Sequence, residues 1–232
     1  RVHINVLAAQ HGRGKYEAMI AGALAGVMLD LGRFAQDVVL FTTGEYGFFG
    51  LDEALCTGSS IMPQKRNADI MELARGNASV AQATAAQIAA TVAGTPSGYN
   101  ADVSLTKGPF MRLVALTRDT LDICALTLGG LTPDEAALRA ACTPEVFATD
   151  AAYELVRQGV PFRDAYRRVA SDLGALAAVD PGPALRERTH LGASGNLGLD
   201  LIAGRVAAAR AAHDARDAAF RAPLLTLVEG DL

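Results

Sequence analysis

Apolar positions near the start of the chain recur every third or fourth place: Tyr16, Ile20, Leu24, Val27, Leu31, Phe34, Val38 and Phe41. That period draws one stripe along a helix beginning near Tyr16. Ala21, Gly22, Ala25 and Gly26 flank the stripe. They let a second helix approach closely, which offsets the poor helix propensity of Gly. So long a stripe predicts a bundle helix rather than a surface helix. The pattern breaks at TTGEYGFFGLDEALCTGSSIMPQKRNAD, rich in Gly, aromatic and turn residues. It resumes over about 68–92, with Ile70, Leu73, Val80 and Ile88 apolar and much Ala between them. After the loop GTPSGYNADVSLTKGP it returns over about 110–128, where Phe110, Leu113, Thr117, Leu121, Cys124 and Leu128 keep near-heptad spacing.

Shorter helices follow. Thr132-Pro133-Asp134-Glu135 reads as a helix start, with Thr as cap, Pro in the first turn and an acid behind it. Thr143-Pro144-Glu145 repeats the device. A helix from about Ala148 is expected to stop at Gly159, with Pro161 opening the next. ALAAVDPGPALRERTHLGASG reads as a connector, and an Ala-rich helix over about 197–220 closes the chain. No period of 20 to 50 residues marks a solenoid. The predicted fold is all-α. A long-helix bundle covers 1–130 and carries a loop at 57–67; a small helical domain with a closing helix covers 131–232.

Composition narrows the function. The 232 residues carry a formal charge of −4, and half of them are hydrophobic. That is ample material for a core and argues against disorder. The acidic balance argues against a nucleic-acid partner, which needs a basic surface. No uninterrupted apolar stretch reaches the ~18 residues of a spanning helix, so no membrane partner is expected. Cys56, Cys124 and Cys142 form neither a disulfide framework nor a CxxC pair. They suit a reducing compartment, and cytoplasmic localisation is expected, without a zinc site. The chain opens at Arg1 without Met and runs straight into helix-forming sequence, which reads as an internal start.

The most informative segment is Thr57-Gly58-Ser59-Ser60-Ile61-Met62-Pro63-Gln64-Lys65-Arg66-Asn67. Gly58 admits unusual backbone angles, two hydroxyls follow, and a Lys-Arg-Asn cluster stands before a helix N-terminus. Such a loop suits an oxyanion, above all a carboxylate, with a hydroxyl beside it. The same residue types also make an ordinary solvated basic loop that caps a helix.

The order of the residues goes further. TGSSIMPQKRN resembles the GSSxMPxKxN signature of the fumarase/aspartase superfamily. Within it, DVVLFTTGEYGFFGLDEALCTGSS, NADIMELARGNA, GTPSGYNADVSLTK and PEVFATDAAYELVRQGVPFRDAYRRV are most similar to the argininosuccinate lyase family. The resemblance is good over roughly 16–169 and weak beyond. It implies an anti elimination that cleaves a C–N bond β to a carboxylate and releases fumarate, with arginine as the other product. It implies no metal and no organic cofactor, a dicarboxylate substrate, and a homotetramer whose subunits share active sites.

By that resemblance Ser59 is the catalytic base, and Lys65 and Asn67 are ligands of a substrate carboxylate. Ser60 adds a contact, and Glu72 orients the histidine that acts as general acid. Tyr99, Ser104 and Lys107 lie at substrate-binding positions, with Asn100 placed to hold their loop. A serine hydroxyl is a poor base at its free pKa and needs positive charge, N–H donors and a dry site. Gly58 and Pro63 point to a loop that closes over substrate.

The chain also departs from the family. Ser104 stands where a substrate-binding Gln is expected. Gly12-Arg13-Gly14-Lys15 stands where an Asp-Arg-Asp-type cluster is usual, so that Arg13 matches only after a one-residue slip. These positions concern the non-fumarate half of the substrate. Two alternatives therefore stay open: a sister lyase acting on another N-succinyl amine, and a non-catalytic structural relative. His3, His11, His190 and His213 match no general-acid histidine motif, which the family carries in a further N-terminal half. The chain alone is expected to be inactive.

Overall fold

The computed structural model describes residues 5–229, which fall into two compact units that divide between Ala140 and Ala141. In the first, α1 (Val6–Gly12) turns sharply into α2 (Lys15–Phe41). Then come α3 (Asp69–Ala93) and α4 (Lys107–Gly129), each packed on both of the others. The helical run 6–41 is long and apolar enough by composition to cross a membrane, but one face of α2 is core.

That face takes in only part of the predicted stripe: Val38 is buried, and Leu24, Leu31 and Phe34 pack half-buried against the core. Ala21, Ala25, Met28, Gly32, Ala35 and Val38 are buried, whereas Tyr16, Ile20 and Val27 are exposed. On α3 the core residues are Met71, Ala74, Ala78, Ala81 and Ile88, while Leu73 and Val80 face outward. On α4, Leu113, Thr117 and Cys124 are buried as expected, but Leu121 and Leu128 are not. The physical reason is close approach: small side chains let two backbones draw together. At Gly32 an added Cβ would stand 2.7 Å from the Cβ of Ala78, which no unshifted structure tolerates. Gln82 crosses the same seam and donates from Nε2 to the carbonyl of Ala25 at 2.7 Å.

Between α2 and α3 the chain forms β1 (Phe49–Leu51), paired antiparallel with β2 (Leu131–Pro133) in the register Gly50 to Thr132. Thr132 and Pro133 are therefore strand residues and do not start a helix. The cap belongs to Asp134, whose Oδ1 accepts from the Ala137 amide at 2.9 Å, ahead of α5 (Glu135–Ala140). The ladder wins because Phe48 and Gly130 extend it at both ends, through Asp134 N to Phe48 O and Asp52 N to Gly130 O. A cluster of Phe41, Tyr46, Phe48 and Phe49, with ring centroids 5.4–6.5 Å apart, anchors the approach to β1.

The second unit pairs α6 (Ala148–Arg157) with α7 (Phe162–Ser171) over Phe147, Ala152 and Ala165. Gly159, at φ +91°, ends α6 where a residue with a side chain would be strained. The connector is less irregular than its Pro and Gly content predicts: it holds a 3-10 turn, Leu173–Ala178, and α8 (Pro181–Arg186). Arg188 forks onto Asp150 through Nε (3.0 Å) and Nη2 (2.5 Å), and Nη2 also donates to the Val146 carbonyl. The closing helix α9 is Leu199–Glu229, and its described side chains are exposed apart from half-buried Asp217.

Candidate active site

The loop 57–67 leaves and returns at one point. Thr57 and Asn67 exchange backbone hydrogen bonds in both directions at 3.0 Å, and the Thr57 hydroxyl donates to the Asp69 carboxylate at the first residue of α3. The segment is thus a closed excursion with a fixed neck. Gly58 has open space around it and no positive φ, so its backbone freedom is not used here.

Inside the loop, the Ser59 oxygen accepts two backbone N–H groups, from Ile61 and Met62, both at 3.2 Å. Ser59 is half-buried and Ser60 is exposed. Two amide dipoles converging on one oxygen favour its negative form, because hydrogen bonds to a charged state lower the cost of reaching it. The Lys65 amide closes a turn onto the Met62 carbonyl at 3.1 Å. Of the two adjacent cations, Arg66 is paired with Glu53, while the exposed Lys65 ammonium takes part in no ion pair among the described residues.

Asn67 is half-buried, and its carboxamide makes no hydrogen bond among the described residues. It does not cap α3: the capping position is Ala68, without a side-chain bond. Its amide is free for a ligand. Glu72 lies one turn into α3, exposed, its N–H bonded to the Ala68 carbonyl at 3.2 Å. Beside the loop, burial pushes the Cys56 thiol above its ordinary range, Arg66 opposing the shift and Asp52 and Glu53 adding to it.

Tyr99, Ser104 and Lys107 do not join this cluster. They follow the C-terminus of α3, while the signature loop precedes its N-terminus. With 25 residues at about 1.5 Å rise, α3 is roughly 37 Å long, and the two groups lie beyond its opposite ends. At that far end Tyr99, Ser104 and Lys107 are all exposed, and Arg13 lies over the Tyr99 ring at 4.2 Å from the centroid. Asn100 does hold its loop, donating from Nδ2 to the Pro96 carbonyl at 2.7 Å. The neck pair Thr57 and Asp69 was not among the predicted site residues; its only signal was a hydroxyl and a carboxylate flanking the signature. A cavity of about 830 Å³ lies elsewhere, in the second unit beside Asp150, Tyr153 and Arg188.

A protein-family model described as a lyase matches residues 5–83. The chain is 48% identical over 205 residues to argininosuccinate lyase of Sorangium cellulosum, covering 88% of this chain and 47% of that protein. It is 37% identical over 174 residues to argininosuccinate lyase of Thermotoga neapolitana, covering 75% and 44%.

The chain belongs to the fumarase/aspartase superfamily.

Solved superfamily structures agree. An EDDS lyase in complex with formate superposes with a TM-score of 0.59 at 26% identity, over 69% of this chain and 32% of that one. The 3-carboxy-cis,cis-muconate lactonizing enzyme of Pseudomonas putida shares the fold, with a TM-score of 0.59 at 19% identity over 79% and 42%. The chain spans about half the length of the curated lyases it matches. His11, His190 and His213 lie away from the superfamily signature in sequence, and His3 falls outside the described residues. No described histidine is hydrogen-bonded to Glu72.

Proposed function

We propose that this chain is the C-terminal portion of an argininosuccinate lyase, cleaving argininosuccinate to arginine and fumarate. The observation that carries the reading is the Ser59 oxygen held by two backbone N–H groups, on a loop whose Lys65 and Asn67 side chains are unengaged. Once deprotonated, Ser59 takes the proton from the carbon beside a substrate carboxylate. The electron pair left behind spreads into that carboxylate, and the doubly charged group needs cations and amide donors where its charge develops. Lys65 and Asn67 are the groups suited to that place, with Ser60 beside them. Collapse of the pair breaks the bond to nitrogen, which receives a proton from a general acid outside this chain. Glu72 serves by orienting that acid.

The placement of the Ser59 cluster and the Tyr99–Ser104–Lys107 cluster beyond opposite ends of α3 supports an active site shared between subunits. If both clusters touch one substrate, they come from different copies. The large apolar residues left outside on α2, α3 and α4 suit the core of a homotetramer. The chain by itself is accordingly proposed to be inactive, and its three sparse cysteines suit the cytoplasm.

The test is to supply the complete lyase containing this chain with argininosuccinate and to follow fumarate by its ultraviolet absorbance and arginine by chromatography. Equal release of both is expected, and none from the isolated chain. A second reading, a sister lyase acting on a different N-succinyl amine, is favoured by Ser104 and by the Arg13 corner. Fumarate from such a substrate, with no arginine from argininosuccinate, would select it. No fumarate from any N-succinyl substrate would leave a non-catalytic relative.

A further inference from the structure

Resting on the lyase reading, we propose that Arg13 is a positioning residue that holds Tyr99 for the amine half of the substrate and leaves the fumarate half untouched. The two stretches in which the chain departs from its family, around Arg13 and around Ser104, lie at the same end of the bundle. Arg13 caps α1 in an extended conformation and Gly14 turns into α2 at φ +76°. Gly14 is wedged in place: a Cβ there would meet Val92 Cγ2 at 2.7 Å and Val103 Cγ1 at 3.1 Å. The corner is therefore seated against the end of α3 and the 3-10 turn Asp102–Thr106, and it aims Arg13 at the intervening loop.

Two contacts join Arg13 to that loop. The guanidinium covers one face of Tyr99, and Nη1 donates to the Asn100 carbonyl at 3.4 Å. Asn100 is itself tied to Pro96 and Gly98. No described carboxylate neutralises Arg13. With a cation already on one ring face, a second cation is repelled from the other. Tyr99 is left to offer its hydroxyl and its open face to neutral or anionic parts of the leaving amine. The Tyr99 side chain is otherwise exposed, so the guanidinium is what restricts its ring.

The complete lyase carrying Arg13→Met or Arg13→Lys is assayed for KM and kcat with argininosuccinate and for competitive inhibition by fumarate. The Met variant is expected to raise KM roughly three- to fivefold, the range of an exposed cation–π contact, with the fumarate inhibition constant unchanged. The Lys variant recovers most of the loss, and Arg13→Met adds nothing in a Tyr99→Leu background. Melting temperatures are measured alongside. A parallel weakening of fumarate, an unchanged KM, or full additivity with Tyr99→Leu overturns the role. Wild-type enzyme that releases no fumarate overturns the lyase reading and this proposal with it; normal wild-type turnover with a silent Arg13→Met overturns this proposal alone.

Discussion

The hydroxyl of Thr57 donates to the carboxylate of Asp69 across the neck of the signature loop. One residue opens the loop and the other starts the helix that follows, so the bond joins excursion and scaffold. Together with the reciprocal backbone bonds between Thr57 and Asn67, it fixes where the loop begins and ends while 58–66 stay exposed or half-buried.

Thr57→Val keeps the shape and the backbone bridge but removes the donor. Misplacing reacting groups by a fraction of an ångström is costly, so kcat of the complete lyase is expected to fall on the order of tenfold with little change in KM. Thr57→Ser keeps a donor and most of the activity. Equal rates for the Val and Ser variants would show the bond to be idle.

Ser59→Ala deletes the oxygen that the Ile61 and Met62 amides hold. A base acts in the transition state, so turnover is expected to drop by roughly a thousandfold or more while substrate still binds. Steady-state rates and equilibrium binding of argininosuccinate check both halves. Near-normal turnover removes Ser59 from the mechanism.

Lys65→Met removes the one unpaired cation of the loop and leaves the Arg66–Glu53 pair intact. A hydrogen bond to a charged group is worth about 1.5–3 kcal/mol, so fumarate inhibition is expected to weaken by about tenfold or more, with turnover falling as well. Inhibition as strong as wild type would mean that Lys65 touches no carboxylate.

Thr127 is fully buried on α4, and its hydroxyl has no hydrogen-bond partner among the described residues. Leaving such a group unmade costs about 1–3 kcal/mol, so Thr127→Val, which fills the same space with a methyl, is expected to raise stability by about 1 kcal/mol. The midpoint of urea unfolding reads it, and a lower midpoint would mean that the hydroxyl has a partner after all.

Much of this protein is determined locally. The three long helices are legible because apolar residues repeat at helical spacing between Gly- and Pro-rich breaks. The lyase signature is legible because it is contiguous: Ser59, Lys65 and Asn67 sit on one short loop whatever the rest of the chain does. Tertiary structure decided three things that spacing leaves open. It centred the buried face of α2 on small residues, where Gly32 meets Ala78, and left Tyr16, Ile20 and Val27 of the large-residue stripe outside. It made Thr132 and Pro133 a strand, because their partners, Phe49 and Gly50, lie some eighty residues earlier. And it set Ser59 and Tyr99 beyond opposite ends of a 25-residue helix, a separation that the rise of α3 imposes and that no motif records.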